Sequence, residues 1–399
     1  MRGDPLSRTQ KRLFLILVAL GALALAAGLA AAWVMEEHGH VVTGMNNQVV
    51  WGTPHVFAIF LIVAASGVLN VASIGTVFGE AAYKSRAPLS GLLAIAMLAG
   101  GLMVLMLDLG RPERLLVAAT HYNFRSVFAW NVFLYTGFFA IVAAYLWVLT
   151  ERRMHPWSRP AGLLAFIWRL ALTTGTGLIF GFLVARQAYA SGLLAPLFIL
   201  MSFAWGLAVF HVAQAALDSW HGRQPGSAIQ RRMRNLLGVF VASVLYLVAV
   251  HHLTNGYWAK QAAFERFILL DGGVYPALFW IGYVALGSIA PLVLLYHPAL
   301  GGGRATLAAS VLVIAGAFAL LYVLIIGGQA FPLEMFPGYE VRSSFVDGRI
   351  GHYAPSLPEI LLGMGGVAAA FLITLLGVRL FDFAPPADDG DKVAHGGAA

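Results

Sequence analysis

The sequence contains no cysteine, and only 11% of its 399 residues are charged. Without cysteine the protein forms neither disulfides nor cysteine-ligated zinc or iron–sulphur sites, so any electron-transfer metal must be bound by histidine or by a partner. Soluble proteins have about a quarter charged and about half apolar residues, whereas this protein is 60% hydrophobic. This composition excludes a cytosolic enzyme, a nucleic-acid-binding domain and a disordered scaffold, and it indicates a polytopic membrane protein.

Ten apolar runs occur along the sequence, each of about 20–25 residues and long enough to cross a bilayer as a helix. They are too long and too continuous for the strands of a membrane barrel. The sequence therefore predicts an all-α integral membrane protein with about ten transmembrane helices. The runs span residues 13–34, 54–78, 88–107, 126–149, 162–185, 193–217, 236–255, 274–296, 305–326 and 358–380.

The distribution of Lys and Arg predicts the orientation of these spans. With the N-terminus inside, 16 of the 25 basic residues fall in inner segments and 7 in outer loops, while Arg169 and Arg186 fall within or at the end of the fifth span. This asymmetry predicts that both termini are cytoplasmic. The first run follows Arg8, Lys11 and Arg12 and would also suit a cleaved signal peptide. Its length favours an uncleaved anchor.

We expect five parts along the sequence. Spans two to five and six to nine form two similar four-helix units, because both would begin at the outer face, near Pro54 and Pro196, and end with a basic inner loop. An additional helix lies at each end. The parts are an N-terminal anchor helix and outer loop (1–53), a first four-helix bundle (54–190), a second bundle (191–327), an outer loop and last helix (328–381) and a disordered cytoplasmic tail (382–399).

Ionisable groups near the outer ends of the spans are candidate functional residues, because such groups are costly inside a membrane. His55 opens the second span, and an imidazole there can donate a hydrogen bond to a quinone carbonyl or exchange a proton with it. A structural histidine at a helix start is the alternative. Asp108 and Arg111 flank a turn after the third span and are close enough to pair, either as supporting charges or as a salt bridge that fixes the loop. Tyr122 and Asn123 are candidates for binding a headgroup, although aromatic residues also form interfacial belts.

A second set of polar residues lies towards the inner face. Asn70, Arg169, His211 and Asp218 could form a path that delivers or removes protons. The alternative for Arg169 is that its side chain snorkels to the inner interface.

Metal and haem ligands are less well supported by the sequence. Haem b requires two histidines on facing helices at matching depth, and only His55 with His251 or His252 meets that condition. The run Glu36-Glu37-His38-Gly39-His40 is typical of a solvated loop, so no metal site is expected.

Several of these residues belong to a recognisable pattern. The run Leu107-Asp108-Leu109-Gly110-Arg111-Pro112-Glu113-Arg114, the later Asn123-Phe124-Arg125-Ser126 and Trp130-Asn131, and the Trp51-Gly52 entry to the second span resemble the NrfD/polysulphide-reductase membrane-subunit family. The stretch from Trp51 to Trp147 is most similar to the ten-span branch that includes the membrane subunit of the dissimilatory sulphite-reduction-associated complex.

The resemblance implies a quinone-interacting subunit of a respiratory redox complex in sulphur metabolism. It implies a menaquinone or ubiquinone near Trp51, His55, Asp108, Arg111, Tyr122 and Asn123, with His55 as the proton-exchanging ligand. No haem or iron–sulphur cluster of the protein's own is expected. The expected partner is an extracytoplasmic ferredoxin-like iron–sulphur subunit, and further candidates are a haem b membrane subunit, a cytochrome c and a cytoplasmic iron–sulphur subunit. Membrane lipid is a further expected partner, and nucleic acid is not.

Two other functions are compatible with the sequence. A secondary transporter is one, although transporters place polar sites at mid-membrane and the polar groups here cluster near the two faces. A membrane anchor that holds redox partners without quinone chemistry is the other.

Overall fold

The structure is a computed structural model that describes residues 7–222, 228–298, 300, 302–333, 348–381 and 383. Its described residues form helices and connecting turns with no β-strand. Ten of the helices described are long and apolar enough to cross a membrane. The predicted all-α polytopic fold is therefore confirmed. The predicted tail at 382–399, except Phe383, and the centre of the last outer loop lie outside the described residues.

The ten long helices follow the predicted spans closely, with the largest shift at the seventh, which begins eight residues earlier than expected. They are α1 Arg8–His38, α2 Thr53–Thr76, α3 Ala87–Leu107, α4 Val127–Thr150, α5 Ser158–Gly181, α6 Leu194–Trp220, α7 Ala228–Tyr257, α8 Val274–Tyr296, α9 Gly303–Ala330 and α10 Leu357–Phe381.

Helices that are consecutive in sequence pack side by side in two sets. In the first set α2 packs on α3, α3 on α4 and α4 on α5. In the second set α6 packs on α7 and α9, and α8 packs on α9. Extensive contacts of α6 with α2 and α5 join the two sets. Helices α2 and α6 therefore form the centre of the molecule, and α2 is largely buried.

The first and last long helices lie together, although they are at opposite ends of the sequence. Helix α1 packs along α10, and α10 in turn packs on α3 and α2. Small residues allow this contact, since a Cβ atom on Gly28 would lie 2.6 Å from the Cα atom of Gly365. Close approach at small residues is a common way for membrane helices to associate, because lipid gives apolar side chains little reason to prefer each other.

The two helix sets meet most closely where α2 crosses α6. A Cβ atom on Gly67 would lie 1.6 Å from the carbonyl oxygen of Ser202, and one on Gly206 would lie 2.2 Å from the carbonyl carbon of Gly67. No side chain fits at either position without moving a backbone. Glycine at this crossing therefore fixes the separation of the two sets.

Helix α2 is interrupted at Leu69, and a side chain from α3 fills the gap. The regular bond from the Ala72 amide to the Val68 carbonyl is replaced by Ser90, whose hydroxyl accepts from the Ala72 N–H at 3.2 Å and donates to the Val68 carbonyl at 2.8 Å. Lipid offers no partners for freed backbone groups, so a break at membrane depth requires such a substitute.

We expect Gly67→Ala to destabilise the protein by about 1–3 kcal/mol, as overpacking of a well-packed core does. The melting temperature of the detergent-purified protein should fall. Gly256→Ala is the matched control, because a Cβ atom at this helical position meets nothing within 4 Å. Equal melting temperatures for the two variants would contradict the role of the α2–α6 crossing.

Ser90→Ala should also lower the melting temperature, because it leaves two buried backbone groups unpaired at a cost of about 1–3 kcal/mol. The control is Ser243→Ala, since the Ser243 hydroxyl is exposed and bonds only the Val239 carbonyl of its own helix. If both alanine variants melted alike, the break in α2 would not depend on Ser90.

Candidate functional site

The central feature of the candidate site is a contact between His55 and Asp108. His55 lies in the first turn of α2, which begins with Thr53 and Pro54, a residue suited to a helix start. Asp108 directly follows the end of α3. The Nδ1 atom of His55 lies 2.8 Å from Oδ2 of Asp108, and the two side chains are 14% and 1% exposed. The ring N–H direction misses the carboxylate, so the contact is not an aligned hydrogen bond, and it is an ion pair only when the histidine is protonated. Nε2 of His55 has no hydrogen-bond partner among the described residues and is available to another molecule.

One aromatic ring packs directly on the histidine. Trp51 stacks on His55 with ring centres 5.8 Å apart and planes 23° apart. The other neighbours of the indole are Phe180, edge-on at 5.7 Å, and Phe128 at 6.3 Å. The imidazole therefore stacks on an indole that is itself packed against rings of α4 and α5.

The backbone before α2 is irregular and is held by Gln329 at the end of α9. The Gln329 side-chain oxygen accepts from the amides of Val50 and Trp51, both at 3.0 Å, and its amide group donates to the Trp51 carbonyl at 3.0 Å. Arg186 connects the same regions, donating to the carbonyls of Gln329 at 2.9 Å and Gln48 at 2.8 Å. The second helix set thus positions Trp51.

A buried carboxylate at the start of α10 holds the same segment from the other side. The Tyr353 hydroxyl accepts from the Thr53 amide at 2.6 Å and donates to Oε1 of Glu359 at 2.7 Å. Oε2 of Glu359 accepts from the amides of Gly44 and Ser356, both at 2.8 Å. Burial raises the pKa of Tyr353, so its hydroxyl keeps the proton that it donates. Glu359 is fully buried but well supplied with donors.

Gln329, Tyr353 and Glu359 are not among the residues predicted from the sequence. Two signals were available. Gln329 is a polar residue at the end of an apolar span, and Ser356 stands three residues before Glu359, which is the spacing of a helix capping box. The reciprocal bonds of that box are present, from the Ser356 amide to Glu359 and from the Glu359 amide to the Ser356 hydroxyl.

The predicted pairing of Asp108 with Arg111 is wrong. Arg111 is exposed, and the carboxylate of Asp108 instead turns inward to His55. The turn between them depends on Gly110, which has a φ of 67°. A Cβ atom there would also lie 2.8 Å from Nε2 of His40, whose side chain would have to shift, but the positive φ is the main reason for glycine.

Tyr122 and Asn123 lie in the loop before α4. The ring of Tyr122 contacts Phe124 at 4.9 Å and Phe133 at 4.4 Å. The Asn123 side chain is exposed and accepts from the Arg125 amide at 3.0 Å, which stabilises a turn. These contacts lie within the loop and the start of α4 rather than at His55. The role of Tyr122 and Asn123 as quinone ligands therefore stays a prediction.

Arg169 lies within α5, where its backbone carbonyl meets α2 and its side chain meets α6. It is fully buried, and its guanidinium group lies 4.7 Å from the ring centre of Phe166 and 5.2 Å from that of Phe203. Its carbonyl accepts from the hydroxyls of Ser66 and Thr173. The side chain therefore does not snorkel to an interface, and that alternative is wrong.

The other residues of the predicted proton path have different neighbours. Nδ1 of His211 lies 3.5 Å from the Ser310 hydroxyl of α9, whereas Arg169 faces α2 and α6. Asn70 directly follows the break in α2, and Asp218 lies near the end of α6. The path through these four residues remains a prediction.

Comparison with known proteins identifies the family. Residues 41–333 match the family described as "Polysulphide reductase, NrfD". The protein belongs to this family of membrane proteins, and the match includes α2 to α9.

Three relatives illustrate the range of the family. The protein is 30% identical to the Hdr-like menaquinol oxidoreductase integral membrane subunit of Archaeoglobus fulgidus, over 89% of this sequence and 90% of that one. It is 21% identical to a selenate reductase subunit of Mesobacillus selenatarsenatis, over 88% and 90% of the two sequences. It is 23% identical to a polysulfide reductase polypeptide of Wolinella succinogenes, over 71% of this sequence and 96% of that one. These relatives are thus named as parts of oxidoreductases, and the first is named as an integral membrane subunit.

We expect Tyr353→Phe to loosen the start of α2. The variant leaves the Thr53 amide and one oxygen of buried Glu359 without a partner, which costs about 1–3 kcal/mol. Hydrogen exchange measured by mass spectrometry should accelerate in peptides spanning residues 44–56. Tyr246→Phe is the control, because Tyr246 is an exposed residue of α7. Unchanged exchange in the Tyr353 variant would show that this hydroxyl does not hold the segment.

Proposed function

We propose that the protein is the quinone- or quinol-interacting membrane subunit of a multi-subunit respiratory redox complex. The observation that carries the proposal is the His55–Asp108 pair beside the ring of Trp51, at one end of the first helix set. The family membership and the menaquinol oxidoreductase subunit among the relatives support the same conclusion.

The residues at this site suit a quinone headgroup. A quinone needs a hydrogen-bond partner for its carbonyl oxygen and an apolar surface for its ring. Nε2 of the partly exposed His55 can supply the first, and the indole of Trp51 with Phe128 can supply the second. A bound quinone would supply the redox chemistry, in which the quinol form gives up two electrons and two protons on oxidation.

The protein's own residues then handle protons. His55 accepts a proton at Nε2 or donates one there, since an imidazole can do both near neutral pH. Asp108 lies beside Nδ1 and balances the positive charge of the protonated ring. Because Asp108 is almost fully buried, its charge acts on the histidine with little screening by water.

Electrons leave or enter through a partner, because this protein has no cysteine to hold an iron–sulphur cluster. The proposed partner is an extracytoplasmic ferredoxin-like iron–sulphur subunit that docks at the His55 end. We further propose that the complex serves sulphur metabolism. The proposed location is a bacterial inner membrane, with both termini cytoplasmic. Residues 54–190 and 191–327 are proposed to act as two helix bundles. Asn70, Arg169, His211 and Asp218 are the proposed proton route to the opposite face.

A transporter function is less well supported. Transporter sites use helices broken at mid-membrane whose freed backbone groups bind ions or substrate. Helix α2 is broken at Leu69, but Ser90 bonds the freed groups of Val68 and Ala72. Substrate-driven flux in liposomes containing this protein alone would favour the transporter and contradict our proposal.

The decisive variant is His55→Ala in the assembled complex. We expect quinol-linked turnover to fall by about 10²-fold, the usual effect of losing a positioned acid–base group. The set of bound subunits and the size-exclusion profile should not change. The control is His38→Ala, because the exposed ring of His38 contacts only the Val34 carbonyl of its own helix.

Turnover that stayed normal in His55→Ala would remove His55 from the mechanism. A purified complex that retains no quinone and is insensitive to headgroup inhibitors would instead favour a membrane anchor without quinone chemistry.

A further inference from the structure

A second group of buried polar residues lies in the other helix set, at the same end of the molecule as His55. His251 and His252 are adjacent near the end of α7, and a short helix that follows contains Glu265. These residues are not part of the site proposed above. The two histidines line a cavity that is separate from that site.

The enclosed space between these walls is about 30 Å³, and it reaches about 420 Å³ only when the open side is included. Its walls come from α6, α7, α9 and the segment after α7, and they are apolar apart from the two histidines. The lining includes Leu197, Met201, Val248, His251, His252 and Leu324. An apolar cavity with a few convergent polar groups is the usual form of a small-molecule site.

His251 lines this cavity and has a single unused hydrogen-bonding atom among the described residues. It is only 5% exposed, and its Nε2 atom accepts from the side-chain amide of Asn255 at 3.2 Å. In a neutral imidazole the proton then lies on Nδ1. Nδ1 is buried and has no hydrogen-bond partner among the described residues. An unpaired buried donor is costly, so this atom is suited to an uncharged acceptor such as a carbonyl oxygen.

His252 adds a proton-exchanging pair beside that donor. Its Nδ1 atom lies 2.6 Å from Oε2 of Glu265, whose side chain is 5% exposed. The second oxygen of Glu265 is buried without a partner among the described residues. The carbonyl of a lipid ester exchanges no proton, so an acid–base pair would not help to bind it. A carbonyl that takes up protons on reduction can exchange them with such a pair.

Two of the cavity walls carry π-helical turns. Ile268 belongs to such a turn at Phe267–Asp271, and Val323 and Leu324 belong to another at Val323–Gly327. Single π turns inside α-helices are rare and are frequently found at functional sites. They widen the helix where it faces the cavity, which is consistent with a site built for a ligand.

We propose that this cavity is a second binding site for a quinone-class molecule, whose ring carbonyl accepts from Nδ1 of His251 beside the His252–Glu265 pair. The choice of a quinone among carbonyl compounds rests on the proposed function, but the cavity and its donor do not depend on His55. Three aromatic residues separate the two sites. The ring centres of Tyr189 and Phe198 lie 5.4 Å and 5.5 Å from that of Phe180.

The test uses the purified complex and a photoreactive naphthoquinone with a short isoprenoid tail, with cross-linked peptides located by mass spectrometry. We expect cross-links in peptides spanning residues 188–201 and 248–268, in addition to any near residue 55. His251→Leu should reduce the 248–268 cross-links at least about tenfold, as loss of one hydrogen bond in an apolar site does. His251→Gln keeps an N–H donor and should retain most of them.

The His55→Ala complex separates this proposal from the proposed function. Cross-links at 248–268 that survive in His55→Ala support a separate second site. If they survive and the turnover of this variant is also normal, only the proposed function is contradicted. If His251→Leu fails to assemble, Leu324→Phe, which fills the cavity from α9, should abolish the same cross-links.

Three results would overturn the second site. The first is an absence of cross-links at 188–201 and 248–268 in the parent complex. The second is cross-linking there that neither His251→Leu nor Leu324→Phe reduces. The third is competition by excess diacyl phospholipid but not by unlabelled naphthoquinone, which would assign the cavity to lipid.

Discussion

Backbone groups that leave a helix inside a membrane must find partners in the protein, because lipid supplies none. This constraint explains the most specific contacts of the structure. At the break in α2, Ser90 bonds the groups freed at Val68 and Ala72. Before α2, Gln329 bonds the amides of Val50 and Trp51. Each of these residues belongs to another helix, so satisfying the backbone also fixes which helices are neighbours.

The same contacts give the candidate site its rigidity. His55 follows directly after a segment that Gln329 holds from the second helix set and that Tyr353 and Glu359 hold from α10 and the residues before it. A histidine that exchanges protons with a ligand must be positioned within a fraction of an ångström. The irregular segment before α2 would be too mobile for that purpose without these three side chains. They act by positioning rather than by contact with a ligand.

The two helix sets carry similar chemistry at the same end. Each has a histidine whose Nδ1 atom lies next to a buried carboxylate, at 2.8 Å for His55 and Asp108 and 2.6 Å for His252 and Glu265. The carboxylates reach these positions by different routes, since Asp108 follows a long helix and Glu265 lies on a short one. From the sequence His252 is a candidate only for a haem ligand, because its acidic partner is 13 residues away and no local pattern connects them.

The sequence alone determined the ten spans, the all-helical class and the family, because hydropathy and the Asp108–Arg114 motif are local properties of the sequence. It also identified His55 as a candidate, since a lone histidine at the start of an apolar helix is conspicuous. Only the tertiary structure decided the partners. Asp108 pairs with His55 rather than with Arg111 because α2 and α3 lie side by side, and Arg169 meets Phe203 because α5 packs on α6. Hydropathy carries no information about which helices become neighbours, and neighbours decide where each polar group finds its partner.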